Sequence, residues 1–216
     1  MGTATDPYQP AERRYGVTRG ILEELAQHAG LEIGIVTKSN MVLRDIELLQ
    51  AVAQRNLLSI NVTITTLDTK LARTLEPRAP RPDLRLDAVG ELAAARLRVG
   101  VNCAPVLPGI NDSPKDLEAL VKAVSAAGAH WIFTNTLFLK PCSEKVFMPF
   151  LQKEFPHLAE NYRERYKSRA FLPDSYRKRI SALMSKLREK YRLGERYAKK
   201  PVSGVLAPRE LQASLF

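Results

Sequence analysis

The sequence predicts an α/β protein in which parallel strands alternate with helices around a barrel or partial barrel, followed by a helical extension. Three observations lead there. Short β-rich runs alternate with stretches of helical period between Val17 and Leu139, the pattern of successive βα units. One run, Ser59 to Thr65, carries Ile and Val on one face and Ser, Asn and Thr on the other, whereas a central strand of a doubly wound sheet is apolar on both faces because helices cover both. After Pro141 the texture changes to basic helical patterns.

Taken in order, the chain begins with a turn. Asp6 can bond its own backbone, and Pro7 fixes φ while pushing Asp6 out of the helical region. Such a turn normally closes a strand, yet Met1 to Ala4 are too few to pair usefully. Val17, Ile21, Leu22 and Leu25 form one apolar stripe of a helix from Val17 to His28, which Gly30 ends. The strand Leu31 to Thr37 follows, then a helix from Val42 to Gln54 with Leu43, Ile46, Leu49 and Val52 or Ala53 inward. The alternation continues with the strand Leu58 to Thr65, a helix near Leu84 to Arg96, the strand Val99 to Val106, a helix near Asp116 to Ala127 and the strand Trp131 to Leu139. Barrel sites lie at the C-terminal ends of strands. The polar residues there are Asp6 and Tyr8, Lys38 and Ser39, Thr65, Thr66 and Asp68, Asn111 and Asp112, with Asn135 and Thr136 in the last strand.

Two short helices are expected near Glu144 to Phe155 and His157 to Lys167. A longer basic helix follows, with Ile180, Leu183, Met184, Leu187 and Tyr191 inward, Asp174 as N-cap and Gly194 as stop. Pro201 to Phe216 show no sustained period and read as a flexible tail. The chain thus divides into a barrel portion (1–140), a basic helical extension (141–200) and a tail (201–216).

Charge sharpens this division. Met1 to Leu139 hold 15 Lys and Arg against 15 Asp and Glu, while Lys140 to Lys200 hold 17 against 7, so the formal +10 lies in the extension. Such a field suits nucleic acid, with Lys178, Arg179, Lys186 and Arg188 as candidate DNA-binding residues; the alternative is a set of solvated helix faces. No stretch approaches the roughly 20 apolar residues of a membrane span, and no signal peptide is legible, so a cytoplasmic protein without membrane association is expected. Cys103 and Cys142 are too few for a disulfide framework and match no metal spacing. Glycine-rich phosphate loops, zinc motifs and serine hydrolase signatures are absent from the sequence.

The succession GTATDPYQPAE, IVTKSNMVLRDIELL, VTITTLDTKLARTLEPRAPRPDLRL and APVLPGIND closely resembles radical S-adenosylmethionine proteins of the spore photoproduct lyase-like branch, also called DNA repair photolyase-like. The match runs from Gly2 to Leu139 in the same order and spacing. The resemblance implies a partial (β/α)6 barrel of the TIM type. It also implies a [4Fe-4S] cluster held by a CxxxCxxC-type loop after the first strand, and reductive cleavage of S-adenosylmethionine to a 5′-deoxyadenosyl radical. Carried onto this sequence, Thr3 to Tyr8, including Thr5, Asp6 and Tyr8, match the end of the second strand, which holds the amino-acid end of the cofactor. Lys38, beside Ser39, is similar to a lysine that approaches its carboxylate, and Thr63, Thr65 and Thr66 match polar residues near ribose and carboxylate. Pro105 to Asp112 echo the segment that packs on adenine, with Leu107, Gly109 and Asp112 in the recognisable places and Pro105 departing from glycine. For Glu76 to Pro80 and Arg85 the resemblance gives no functional role, and a structural Arg-carboxylate contact is expected.

A site-differentiated cluster needs three thiolates on one loop, and no such loop occurs in this sequence. The expectation is therefore an incomplete barrel lacking its first βα unit, through truncation or a start codon assigned too late, and inactive by itself. The leading reading is a truncated homologue of a radical S-adenosylmethionine DNA-repair enzyme. The alternative is a non-catalytic DNA-binding or clamp-associated module that reuses the barrel; an enzyme for small phosphorylated molecules is disfavoured by the absent phosphate loops. The terminal QASLF resembles the short motif by which bacterial repair proteins dock on the DNA sliding clamp, through Gln212, Leu215 and Phe216 here. A hydrophobic latch folding back onto the protein is the other reading of that pair.

Overall fold

The computed structural model describes residues 1–194 except Thr3 and Ser168. The sliding-clamp residues Gln212, Leu215 and Phe216, the rest of the tail and the last six residues of the basic extension lie outside the described residues, as does Thr3.

Four parallel strands, β1 (Glu32–Thr37), β2 (Leu57–Thr63), β3 (Val99–Val106) and β4 (Trp131–Thr136), stand in the order of the chain, β1-β2-β3-β4. Helices α1 (Glu12–Tyr15) and α2 (Val17–Leu25) precede β1. A 3₁₀ segment (Asn40–Asp45) and α3 (Ile46–Arg55) link β1 to β2. Between β2 and β3 lie α4 (Thr69–Leu75) and α5 (Pro82–Ala94), and α6 (Pro114–Ala126) leads to β4. The extension is α7 (Pro141–Glu154), α8 (Pro156–Tyr166) and α9 (Asp174–Lys190). Among the described residues no helix is long and apolar enough to cross a membrane.

Register explains the two faces of the sheet. At one level Thr37, Val62, Val101 and Ile132 stand in a row across all four strands. With Ile33, Ile35, Leu58, Ile60 and Val99 they make a buried, mostly aliphatic face. The next row is Val36, Asn61, Gly100 and Trp131. Trp131 lies across Gly100, where a Cβ would meet its ring at 2.2 Å, and donates Nε1–H to Asn61 Oδ1 at 3.1 Å. Asn61 Nδ2 in turn reaches the Ile35 carbonyl at 3.3 Å. At Asn61 the polar face of the Ser59 to Thr65 run is filled by the indole, and Trp131 with the Ile35 carbonyl satisfies the buried amide.

Other local expectations are corrected. Asp68 is the N-cap of α4, a helix the periodicity did not reveal because it spans only two turns, and its carboxylate accepts from Lys70 N at 2.8 Å and Leu71 N at 3.1 Å. Asp174 is the first residue of α9 rather than its cap; Pro173 occupies the cap position and Asp174 pairs with Arg177. Gly194 does not stop the helix, which ends at Lys190. It forms a parallel bridge with Trp131 and donates to the His130 carbonyl at 2.9 Å, extending the sheet past β4.

Tyrosines fix the extension to the rim. Tyr162 donates to the Pro108 carbonyl and Tyr166 to the Leu137 carbonyl, each at 2.9 Å, and Tyr176 donates to Asp112 Oδ2 at 2.7 Å. All three are buried, so α8 and α9 are docked against the C-terminal ends of β3 and β4.

Candidate functional site

Asp6 organises the first turn and the end of β1 together. Its Oδ1 accepts from Tyr8 N at 2.9 Å and Thr37 Oγ1 at 2.7 Å, and its Oδ2 accepts from Lys38 N at 2.7 Å. Thr37 Oγ1 also receives Ser39 N, and Ser39 Oγ caps the 3₁₀ segment through Met41 N. These bonds shape a cleft of about 480 Å³, whose walls include Asp6, Tyr8, Lys38 and Ser39. Its size falls within the roughly 300–1,000 Å³ of pockets that enclose small molecules.

Three cations, Arg13, Lys38 and Arg78, line the cleft against the single carboxylate of Asp6 among its described walls. Lys38 Nζ is 2.8 Å from Glu76 Oε1, and Glu76 Oε2 is 2.7 Å from Arg85 Nη1. Arg85 is almost wholly buried and also donates to the Thr63 carbonyl at 2.9 Å and the Pro80 carbonyl at 2.7 Å. The Arg-carboxylate contact expected for this stretch is therefore present. Its structural consequence is larger than the sequence indicated, because Arg85 ties the Glu76 to Pro80 loop, one wall of the cleft, to the end of β2.

Beneath the cleft lies a buried ionic group. Asp45 accepts from Arg19 Nη1 at 2.7 Å and Arg44 Nη2 at 2.8 Å, while Glu12 accepts from Arg44 Nη2 at 2.9 Å and Thr18 N at 2.8 Å. Burial opposes ionisation of both carboxyls. For Asp45 the Arg44 and Arg19 guanidiniums outweigh it, and for Glu12 the Thr18 amide and Arg44 do, so each is held below the usual carboxylate range. Tyr8 is buried beside Asp45, its hydroxyl without a hydrogen-bond partner among the described residues; burial, and then the Asp45 charge, push its phenol far above the ordinary range, so it stays protonated.

A pH dependence follows. Carboxyls depressed in the folded state stabilise it fully above their unfolded values, 3.8 for Asp45 and 4.5 for Glu12, and that contribution disappears as pH falls through the lower folded values. Thermal unfolding is expected to be nearly flat from about pH 7 to pH 5 and to weaken steeply below about pH 4. The stability gap between wild type and Asp45→Asn should shrink on the acid side; an equal gap at neutral and acid pH would refute the assignment.

The other sequence-selected residues do not line this cleft. Thr5 is exposed beside it. Thr63, Thr65 and Thr66 are buried at the end of β2: Thr63 offers its carbonyl to Arg85, Thr65 its carbonyl to Asn111 Nδ2 at 3.0 Å, and Thr66 Oγ1 accepts from Asp68 N. Leu107 is buried, and Gly109 lies against Leu158 of α8. Asp112 is engaged by Gly109 N at 2.8 Å, by Tyr176 and, at 3.6 Å, by Arg179. The set is thus split between a cleft at β1 and a rim at β2 and β3 locked by the extension. Sequence reasoning passed over Arg13 and Arg78; Arg78 sat in a stretch without an assigned role, and the wall it forms depends on the buried Arg85 contact.

The four DNA-binding candidates do not form one stripe. At 3.6 residues per turn, Arg179 and Lys186 flank one side of the buried face of α9, Arg188 flanks the other, and Lys178 lies opposite it. Lys178 and Lys186 are exposed, Arg179 stacks 5.0 Å from the Tyr176 ring, and Arg188 is half-buried.

Among the described residues no three His, Cys, Asp or Glu are grouped to hold a metal ion. Cys142 is exposed at the start of α7, and Cys103 is buried in β3, where burial pushes its thiol up to about 12. These residues do not fit an iron-sulfur cluster. An aminocarboxylate fits the cleft better. A carboxylate offers about four acceptor positions and Asp6 uses three, which leaves one for an ammonium, while Lys38, Arg13 and Arg78 supply positive charge for a carboxylate.

No family model matches the chain. It is 36% identical over all 216 residues to an uncharacterized protein of Mycobacterium tuberculosis strain H37Rv, and spans 63% of that protein's length. Among solved structures, a mutant spore photoproduct lyase with dinucleoside spore photoproduct aligns with TM-score 0.63 and 15% identity, over 88% of this chain and 57% of that one. A double mutant of the same enzyme with bound AdoMet and dinucleoside spore photoproduct aligns with TM-score 0.62, 15% identity and the same coverage. The fold is similar to that of spore photoproduct lyase.

Proposed function

We propose that this protein is a spore photoproduct lyase-like member of the radical S-adenosylmethionine proteins that engages nucleic acid, and that the cleft at the end of β1 receives the aminocarboxylate end of S-adenosylmethionine. The observation that carries the reading is the convergence of Asp6, Lys38 and Ser39 on one cleft that also holds Arg13 and Arg78. The sequential order of the parallel strands supports a partial barrel, and the likeness to a lyase structure with bound AdoMet supports the cofactor. Within this reading the remaining acceptor position on Asp6 Oδ2 takes the cofactor's ammonium, and Lys38, already polarised toward Glu76, takes one carboxylate oxygen. No radical-forming step is assigned to the described residues, because their donors do not fit the cluster. Nucleic-acid engagement is supported by the charge of the extension and by the dinucleoside photoproduct in the neighbouring structures.

Titration calorimetry with S-adenosylmethionine tests the cofactor part. Binding is expected, and Lys38→Ala should weaken it by up to about fivefold, the upper end for a half-exposed ion pair, with Lys38→Arg retaining it. No saturable heat from the wild type at ~1 mM cofactor, a concentration that would reveal even weak sites, would overturn the assignment.

A further inference from the structure

Beyond β4, a second and smaller cleft opens against α9. About 220 Å³ in volume, it is lined by Thr134, Asn135 and Thr136 of β4 and by Arg177, Ser181 and Arg188 of α9. That is below the volume of pockets that enclose whole small molecules, so it suits a part of a larger ligand. Among the described residues that line it there is no carboxylate, although Asp174 pairs with Arg177 from one turn away. Arg177 and Arg188 are eleven residues apart, three full turns, so they stand on the same flank of α9 at opposite ends of the cleft. Thr134, on the cleft wall, has a buried hydroxyl without a hydrogen-bond partner among the described residues, a polar atom whose desolvation none of them offsets.

An aromatic platform adjoins the Arg177 end. Phe171 is 52% exposed and stacks on Phe138 with ring centroids 4.3 Å apart. The Phe138–Phe171 backbone bridge and the bond from Leu139 N to the Ala170 carbonyl at 2.9 Å hold the pair in place. The Lys140 ammonium lies 5.6 Å from the Phe138 ring and the Arg177 guanidinium 5.7 Å from the Phe171 ring. A large ring left half in solvent, rigidly mounted and flanked by cations, is poorly explained by packing. It is the combination that binds single-stranded nucleic acid, in which bases stack on aromatic faces and phosphates follow a basic groove.

We infer that Phe171, with Phe138 behind it, and the Arg177–Arg188 cleft together form a binding site for a single nucleic-acid strand: an unpaired base stacks on Phe171 and the phosphodiester backbone runs along the cleft between the two arginines. Stacking on Phe171 needs an unpaired base, which a closed duplex does not offer. The inference deepens the nucleic-acid part of the proposed function and rests on it; the cofactor part is independent.

Fluorescence anisotropy of a labelled oligothymidylate and of a matching duplex, titrated with the full chain at several salt concentrations, tests it. Phe171→Ala should weaken single-strand binding about 5- to 150-fold, the range for loss of one stacked base, with the salt slope unchanged because no charge is lost. Phe171→Trp should retain binding, which separates stacking from any damage to the fold. Arg177→Gln with Arg188→Gln should weaken binding and reduce the salt slope by about one to two, whereas Lys178→Gln with Lys186→Gln should alter single-strand affinity far less. Single-strand binding that survives both the phenylalanine and the arginine substitutions, or binding of duplex alone, overturns the site and leaves the nucleic-acid reading standing. A wild-type protein that binds neither probe at low salt overturns both.

Discussion

Gly100→Ala is expected to destabilise the protein by about 3 kcal/mol, the upper range for overpacking a core, and to drive much of it into aggregates. The new Cβ would stand 2.2 Å from the ring of Trp131, a side chain only 2% exposed. Relief requires the indole to move. Movement breaks its bond to Asn61 and leaves a buried amide without its donor, a further cost of about 1–3 kcal/mol. Gly34→Ala in β1 is the control: there the added Cβ would lie 3.8 Å from Ser59 Oγ, an ordinary contact. Urea unfolding of the two variants beside the wild type decides the matter. Equal stabilities of the two would show that the indole does not occupy the space above Gly100.

Arg85→Met should cost about 3–5 kcal/mol, the range for breaking a buried ion pair. The guanidinium has three partners, Glu76 and the carbonyls of Thr63 and Pro80, and its removal leaves all three in a region from which water is largely excluded. Glu76, only 14% exposed, is then a charge satisfied by Lys38 alone. Adding Glu76→Gln to Arg85→Met should recover at least about 1 kcal/mol, because the orphaned charge disappears. The single substitution should also loosen the Arg78 to Pro80 wall and weaken occupancy of the β1 cleft, while the double variant recovers stability more than binding. A change in stability below about 1 kcal/mol for Arg85→Met would mean that water reaches this arginine.

Much of the fold was legible because its signals are local. Alternation of β-rich and amphipathic runs marks β1 to β4 within a residue or two for most strands, and the stripe Ile180, Met184, Leu187 marks the buried face of α9. The helices that escaped were α1 and α4, too short for a period to repeat. Helix ends were misread at Asp174 and Gly194, since a cap residue and a first-turn residue have the same composition and a glycine can serve a strand bridge as well as a stop.

For the site, sequence by itself determined that Lys38 and Ser39 follow the end of β1 and that Asp6 and Tyr8 belong to a turn, because strand periodicity and turn chemistry place them there whatever the partners are. Tertiary structure decided which of them meet. Asp6 joins Lys38 through bonds spanning more than thirty residues, and Arg85 reaches back to Thr63 and Glu76 to build the opposite wall. Only the register of four strands shows that Asn61, polar and suggestive in sequence, belongs to Trp131, seventy residues away. Likewise only the tertiary structure shows that Phe171 is bridged to and stacked on Phe138 and half in solvent. A residue's chemistry is fixed by its type, but its availability depends on which distant group satisfies it first, and that is set by burial and hydrogen bonding between segments far apart in the chain.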